Sequence, residues 1–383
     1  MAKLQFIGYQ IQTAAEGDTK RRDYPGLTDP RRDIEARCKI MVDAIEAAAA
    51  SSAYRHVARK IFVAPEFYFR GGRDGAYEIE QVSYVNEVLD GYLSATKYAR
   101  WIFVLGTALG RMPSDGSGRR EIINVALVRK GGVKVTSTGT DANDSLLVYK
   151  EYVSAIDFLG PFFGRGNKWF DHATRAGTAS LGGAYKRIAG TSGSRSSGNI
   201  VAKGRPNLHG QHRTYKPSGK FRFEVNKKAI EGKITPEERD RWLATVDYTT
   251  SETSQSGLGG GTNFTMDGMQ FVLEICLDHA EERAKNTIPA NDVDLHVITS
   301  CGMTPSYQWV RTGGYQFAVD GIDDDEDLVW LARKTGSGQV DIDPADTIDM
   351  ADSGRWRKFS GSGQHLFQGG RGTVLVFPPQ NFI

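Results

Sequence analysis

Residues 270–279 read Gln-Phe-Val-Leu-Glu-Ile-Cys-Leu-Asp-His. The stretch begins as an apolar run with β-branched and aromatic residues, which predicts a buried strand. The apolar run ends at Cys276, and the residues that follow are mostly polar. A thiol at the end of a buried strand is held by the sheet and open on one side, which suits a nucleophile. Most free cysteines, however, are small core residues, and from this stretch alone that interpretation of Cys276 is the stronger one.

The composition predicts a soluble globular protein. The chain has 383 residues, of which 39% are hydrophobic and 25% charged, so it is long enough for one large domain or two. A net charge of +2 argues neither for nor against nucleic acid as a partner. The three cysteines are far apart and odd in number, so we expect neither a disulfide framework nor a structural zinc site.

The compartment is predicted to be the cytoplasm. Such a low number of separated cysteines fits a reducing environment. The N-terminal residues lack the charged and apolar regions of a signal peptide, and no apolar run approaches the length of a membrane span. We therefore expect no contact with a membrane.

Strands and helices alternate through the first 150 residues. We predict that a helix begins at Asp33 as its N-cap and that a second helix covers residues 77–99. Their apolar faces are formed by Ile34, Cys38, Met41 and Ile45 in the first and by Val82, Val85, Leu89 and Leu93 in the second. Strands are predicted at residues 4–12, 61–63, 101–105, 122–128 and 133–136. This order is typical of a layered α/β domain.

The segment from about residue 161 to 262 differs from the rest. It is rich in Gly, Ser, Arg and Lys and has few apolar runs. We interpret it as a lid-like insertion into a single domain that spans residues 1–383, because it cannot build a large core of its own. Its basic and aromatic residues leave open a function of another class, the binding of nucleic acid or an acidic protein. Nucleic acid is the less favoured partner.

The alternating pattern resumes after the insertion. We predict strands at residues 293–301, 328–332 and 372–377, and a helix that begins at Trp309 and returns as a strand by Val319. Because Pro378 and Pro379 cannot donate ladder hydrogen bonds, we do not expect the C-terminal tail to join a sheet.

A second informative turn follows the predicted strand at residues 61–63. There Pro65 and Glu66 are followed by Phe67, Tyr68 and Phe69. Aromatic surroundings would partly desolvate the carboxyl group of Glu66, and desolvation raises a carboxyl pKa towards the range useful for proton transfer. A glutamate that only caps the next turn explains the pattern equally well.

Three strand ends together resemble the nitrilase superfamily of carbon–nitrogen hydrolases. The matching motifs are Ala64-Pro65-Glu66-Phe67, Val148-Tyr149-Lys150 and Ile275-Cys276-Leu277-Asp278. Each motif is weak alone, but all three occur in the family's order, and this makes catalysis the stronger interpretation of Cys276. The resemblance implies a four-layer α-β-β-α sandwich, a homodimer or larger assembly, and a catalytic triad of Glu66, Lys150 and Cys276.

The resemblance also implies the chemistry and the supporting residues. A small-molecule amide is the preferred substrate, while nitrile hydrolysis and acyl transfer to an amine remain open. Asp157, seven residues after Lys150, stands in for a second glutamate that many family members have. Leu277 and His279 depart from the family pattern at the nucleophile turn, so we expect them, with Tyr68, to shape or support the site.

Three other patterns have weaker chemical interpretations. His279 follows Cys276 closely in sequence, whereas catalytic Cys–His pairs seldom do, so we expect His279 to line or cap the pocket. His209 and His212 have no accompanying cysteine or acidic ligand for zinc. The glycine-rich residues 257–262 lack the lysine of a phosphate-binding loop. We therefore predict neither a metal nor a cofactor.

Overall fold

A computed structural model of the chain describes residues 2–13, 26–70, 76–111, 122–135, 144–150, 262–280, 282–322, 328–350, 366–367 and 370–382. The insertion predicted at about 161–262 therefore lies, apart from its last residue, outside the described residues, and so does Asp157. The single-domain organisation with a lid stays a prediction.

Strands dominate the described residues. The α-helices of this part of the chain are α1 (Pro30–Ala50), α2 (Ile79–Leu93) and the one-turn α3 (Leu277–Ala280), and short 3₁₀ turns cover Thr96–Tyr98, Arg283–Asn286 and Ala290–Asp292. The strands are β1 (Ala2–Gln10), β2 (Arg59–Ala64), β3 (Tyr77–Glu78), β4 (Trp101–Arg111), β5 (Ile122–Lys130), β6 (Ser145–Tyr149), β7 (Asn263–Met266), β8 (Met269–Ile275), β9 (Leu295–Ser300), β10 (Tyr315–Asp320), β11 (Val329–Lys334), β12 (Gln339–Asp341), β13 (Asp346–Asp349), β14 (Thr373–Val376) and β15 (Gln380–Phe382).

These strands form two sheets. The first has the order β13-β14-β1-β2-β4-β5-β6, with β15 also paired to β1 and β3 to β4. The second has the order β12-β11-β10-β9-β8-β7. In the first sheet β2 is parallel to β4, and two successive antiparallel pairings bring β6 into the same direction. The carboxyl ends of β2 and β6, which precede Glu66 and Lys150, therefore lie at one edge.

One of the two large apolar clusters of the described residues lies between the two sheets. Alternate residues of each strand point into it, as the period of two requires. On β1 the ring of Phe6 meets the ring of Phe317 on β10, with centroids 5.2 Å apart. On β8 the buried side chains of Leu273 and Ile275 join the same cluster. The prediction of a buried strand before Cys276 is confirmed.

Helices cover the outer face of the first sheet. The predicted faces of α1 and α2 are confirmed, because Ile34, Met41, Val82 and Leu89 are fully buried against that sheet. Among the described residues, the outer face of the second sheet is covered by α3, short 3₁₀ turns and a loop, and Val272 of β8 belongs to a small apolar cluster there. The sandwich of two sheets between outer layers agrees with the predicted fold class. None of the described helices has the length and apolar character needed to cross a membrane.

The prediction that Asp33 caps α1 is wrong. The N-cap is Asp29, whose side chain accepts a hydrogen bond from the Arg32 backbone N–H at 3.0 Å. Pro30 occupies the first helical position, which favours the start found here. Asp33 is instead fully buried and forms an ion pair of 2.8 Å with Arg37.

Three other local predictions are also corrected. Residues 131–135 form no strand, because the Gly131 and Gly132 N–H groups bond to Trp101 and Leu93 carbonyls, and β6 is the partner of β5. Residues 309–314 are a loop instead of a helix. The tail does join a sheet, since β15 begins after the two prolines and pairs with the start of β1.

Candidate active site

The turn that carries Glu66 is held by the neighbouring strand β4. The Phe67 backbone N–H donates to the hydroxyl of Thr107 at 2.8 Å, and Phe67 has a φ of 63°, which is uncommon for a residue with a side chain. Gly106 has a φ of 71°, and a Cβ atom there would lie 2.3 Å from the Pro65 carbonyl oxygen. A glycine is therefore required where β4 passes the Glu66 turn.

Glu66 and Lys150 form a buried ion pair between two strand ends of the first sheet. Glu66 Oε1 accepts a hydrogen bond from Lys150 Nζ at 2.7 Å and another from Asn124 Nδ2 at 2.8 Å. The Lys150 backbone N–H in turn donates to the Asn124 carbonyl oxygen at 2.9 Å. Asn124 was not predicted as a site residue. Its signal in the sequence is a single amide side chain inside an otherwise apolar strand, which needs a partner when buried.

Burial makes this ion pair chemically significant. Both side chains are fully buried, and taking two charges out of water costs several kcal/mol per ion unless geometry and hydrogen bonds compensate. Lys150 Nζ also lies 5.6 Å from the centroid of the Phe67 ring. A buried pair of this kind is weak evidence for stability, and its position where two strands end makes Glu66 and Lys150 candidates for a functional site.

Cys276 follows β8 and precedes α3, in a strand–turn–helix arrangement that presents a side chain at the edge of a sheet. Its φ is 48°, in the left-handed region that costs a non-glycine residue about 1–3 kcal/mol. Cys276 is 4% exposed, and Glu66 and Lys150 are 0% exposed, so all three residues are buried.

The end of β9 joins the Cys276 turn to the Glu66 turn. The backbone N–H of Cys276 donates to the Thr299 carbonyl oxygen at 3.0 Å, and that of Glu66 donates to the Ser300 carbonyl oxygen at 3.3 Å. The Thr299 hydroxyl also donates to the Ala64 carbonyl oxygen at 2.9 Å. Two adjacent residues of the second sheet therefore hold both turns at one edge of the sandwich.

Asp320 fixes the loop that follows β9. Its carboxylate accepts hydrogen bonds from the Ser300 hydroxyl at 2.6 Å and from the Gly302 and Met303 N–H groups at 2.8 and 3.0 Å. Burial, with the charges of Asp320 and Glu66, raises the pKa of the Cys301 thiol well above its ordinary value. Cys301 therefore remains protonated beside Cys276 and is a poor nucleophile.

The predicted supporting residues lie in different surroundings. Tyr68 packs between the first sheet and α1, where its hydroxyl donates to the Arg37 carbonyl oxygen at 3.0 Å and its ring contacts Phe367. Leu277 is buried in the same cluster. This cluster also contains Phe67 of the Glu66 turn. His279 is fully buried on the outer face of the second sheet, where its Nδ1 lies 2.7 Å from Glu274 Oε2.

Glu274, His279 and His296 have the composition of a metal site, and their ligand atoms lie within 4.8 Å of one another. The backbone N–H groups of Ser306 and Trp309, however, donate to His279 Nε2 at 2.9 Å and to His296 Nδ1 at 3.2 Å. Those ring nitrogens must be acceptors, so the nitrogens that face Glu274 carry protons. A metal needs lone pairs at those positions, and we assign the cluster to hydrogen bonding.

Comparison with known proteins gave structural matches alone: no protein-family model and no curated protein matches the chain. The structure is similar to that of Nit3 from Saccharomyces cerevisiae, a member of branch 10 of the nitrilase superfamily, with 10% identity, coverage of 99% of this chain and 90% of that chain, and a TM-score of 0.41. It is also similar to an amidase from Nesterenkonia sp., with 12% identity, coverage of 98% and 90%, and a TM-score of 0.37.

A third match is a glutamine-dependent NAD(+) synthetase from Cytophaga hutchinsonii, with 10% identity and a TM-score of 0.36. This match covers 88% of the present chain and 40% of the synthetase. The yeast protein is described as a member of the superfamily that the three sequence motifs resemble. With identities this low, the assignment of function rests on the residues of the site.

Proposed function

We propose that the chain hydrolyses a non-peptide C–N bond, with Cys276 as nucleophile and an amide as the preferred substrate. The observation that carries the proposal is the 2.7 Å contact of Lys150 Nζ with Glu66 Oε1 in a fully buried position. This ion pair lies at the edge of the sandwich where the end of β9 also contacts the Cys276 turn. A base, a cation and a thiol are then supplied by three strand ends.

The first half of the reaction forms a thioester. Glu66 removes the proton from Cys276, because the thiolate and not the thiol is the nucleophile. The thiolate attacks the amide carbonyl carbon, and negative charge builds on the carbonyl oxygen. Lys150 Nζ and a backbone N–H beside Cys276 stabilise that charge, and each such donor contributes about 100- to 1000-fold in rate. Protonated Glu66 then gives its proton to the departing amine or ammonia.

The second half restores the enzyme. Glu66 accepts a proton from water, whose oxygen attacks the thioester carbon, and the carbon–sulfur bond breaks to release a carboxylic acid. The proton returns to the thiolate through Glu66. Lys150 remains protonated throughout and offsets the negative charges of the thiolate and of Glu66. Acyl transfer uses the same thioester, with an amine in place of water.

Mass spectrometry of Cys276 after exposure to a panel of small amides and nitriles tests this proposal. We expect a trapped adduct on Cys276 whose mass gives the acyl group, together with release of ammonia. Both are lost in Cys276→Ala and retained in Cys38→Ala, since Cys38 lies on the buried face of α1 and burial raises its thiol pKa well above the ordinary value. Adducts or ammonia release that persist in Cys276→Ala would refute the proposal. Product analysis with and without an added amine distinguishes acyl transfer to that amine from hydrolysis.

A further inference from the structure

A buried carboxylate lies directly behind the nucleophile turn. Glu274 is in β8, two residues before Cys276, and is fully buried. Its neighbours Leu273 and Ile275 point into the core between the sheets, so Glu274 faces the opposite side of the second sheet. A charge in this position is unfavourable unless hydrogen bonds satisfy its oxygens.

Four hydrogen-bond donors surround this carboxylate. They are His279 Nδ1 at 2.7 Å, His296 Nε2 at 2.8 Å, the Tyr307 hydroxyl at 2.8 Å and the Ala284 backbone N–H at 2.7 Å. Both imidazoles are neutral, because their other nitrogens accept backbone N–H groups. The carboxylate is thus a single negative charge held by neutral donors.

Two of these donors come from the chain immediately after Cys276. His279 lies in α3, and Ala284 lies in the 3₁₀ turn that follows. The strand before Cys276 and the helix after it are therefore attached to one carboxylate. The left-handed backbone of Cys276, with a φ of 48°, lies between the two attachment points. Such a conformation persists where the surrounding structure enforces it.

We propose that Glu274 and His279 are positioning residues for Cys276: their hydrogen bond across the nucleophile turn holds the strained backbone that aims the thiol. This inference rests on the proposed function for its catalytic consequence. His296 provides a matched comparison, because it binds the same oxygen of Glu274, is equally buried and also accepts a backbone N–H. It lies in β9, however, and its bond does not span the turn.

The test compares His279→Gln with His296→Gln in the full chain. The rate of Cys276 alkylation by iodoacetamide is followed by mass spectrometry, and kcat, KM and Tm are measured beside it. We expect alkylation and kcat to fall about 10- to 100-fold in His279→Gln, with KM nearly unchanged, because small misplacements of a reacting atom have effects of this size. In His296→Gln both rates should stay within about threefold of wild type at a comparable Tm.

Equal losses in the two variants would overturn the positioning role, because the bond across the turn would then act through stability alone. If His279→Gln does not fold, His279→Asn replaces it. Failure of both His279 variants to fold, beside a folded His296→Gln, also overturns the role. Alkylation needs no hydrolysis, so a wild-type protein that is alkylated but releases no ammonia refutes the proposed function and leaves the positioning role tested.

Discussion

Glu66 and Glu274 are both fully buried glutamates next to the same edge of the sandwich, yet their partners differ in kind. Glu66 accepts a hydrogen bond from the ammonium group of Lys150, which is itself an ion. Glu274 accepts hydrogen bonds from neutral imidazole, phenol and backbone groups. The comparison teaches that two equally buried carboxylates can differ in the charge of their hydrogen-bond donors, and this difference is the basis on which we propose Glu66 as the catalytic one.

The donors decide what each carboxylate can do with a proton. Protonating Glu66 leaves a cation beside it that can stabilise charge on a substrate. Protonating Glu274 would weaken the four hydrogen bonds that its carboxylate accepts. Burial raises the pKa of Glu274, but hydrogen bonds from His279 and His296 outweigh it and hold that pKa well below its ordinary value. Glu274 therefore stays charged and fixes geometry.

The largest expected effect comes from removing the charged pair as a unit. In Glu66→Gln/Lys150→Met we expect kcat/KM for amide hydrolysis to fall by at least about 10⁴-fold, since the base and a charge-stabilising donor are both lost. The free energy of unfolding should stay within about 2 kcal/mol of wild type or rise, because replacing a whole buried ion pair is often neutral or stabilising. Ammonia release and urea unfolding measure the two quantities.

The single variant Lys150→Met is the control for this experiment. It leaves the Glu66 carboxylate buried without its cation, which should lower the free energy of unfolding by about 3–5 kcal/mol. A double variant that is less stable than this single variant, or one that keeps more than about a hundredth of wild-type activity, would show that the pair is structural.

Much of the fold and the candidate triad could be predicted from local pattern. The apolar stripe of α1 and the strand before Cys276 follow from periodicity, because burial of one face is what stabilises such elements. Glu66, Lys150 and Cys276 could be singled out because each lies just after a predicted strand, in motifs that together resemble those of the nitrilase superfamily. Strands that run in one direction bring their carboxyl ends to one edge.

The supporting residues could not be predicted because they depend on contacts between distant segments. Asp33 has the right residue type for a cap, but its partner Arg37 and the better placed Asp29 decide otherwise. In the sequence Glu274 lies inside an apolar run, and its neighbours there do not identify its partners. His296 and Tyr307, which hydrogen-bond to it, lie in other parts of the chain. A charged residue inside a buried strand is nevertheless a signal that such partners must exist.

A smaller effect is expected from neutralising Glu274. In Glu274→Gln an amide replaces an acceptor that is surrounded by donors, so at least one donor faces an N–H group. We expect the free energy of unfolding to fall by about 1.5–3 kcal/mol, the range for a hydrogen bond to a charged group. Urea unfolding measures this change.

Glu46→Gln is the matched control for Glu274→Gln. The Glu46 carboxylate accepts hydrogen bonds from Lys97 and Tyr98, but its side chain is 41% exposed. Water can replace those bonds, so the loss should stay below about 1 kcal/mol. Similar losses in the two variants would contradict the conclusion that enclosure by donors distinguishes Glu274.

The smallest expected effect is a dependence of stability on pH through His279. Burial lowers the pKa of His279 below its ordinary value, although the hydrogen bond and charge of Glu274 act in the opposite direction. In acid the unfolded chain therefore binds a proton at this residue before the folded chain does, and stability falls as pH drops through about 6.5. Glu274, whose pKa is also lowered, adds a second loss below about pH 4.3.

Between pH 7.5 and 5.5 we expect wild type to lose about 1 kcal/mol more than His279→Gln in urea unfolding at constant ionic strength. An equal loss in the two proteins would mean that His279 takes up its proton in the folded state, and the neutral ring assigned beside Glu274 would then be wrong.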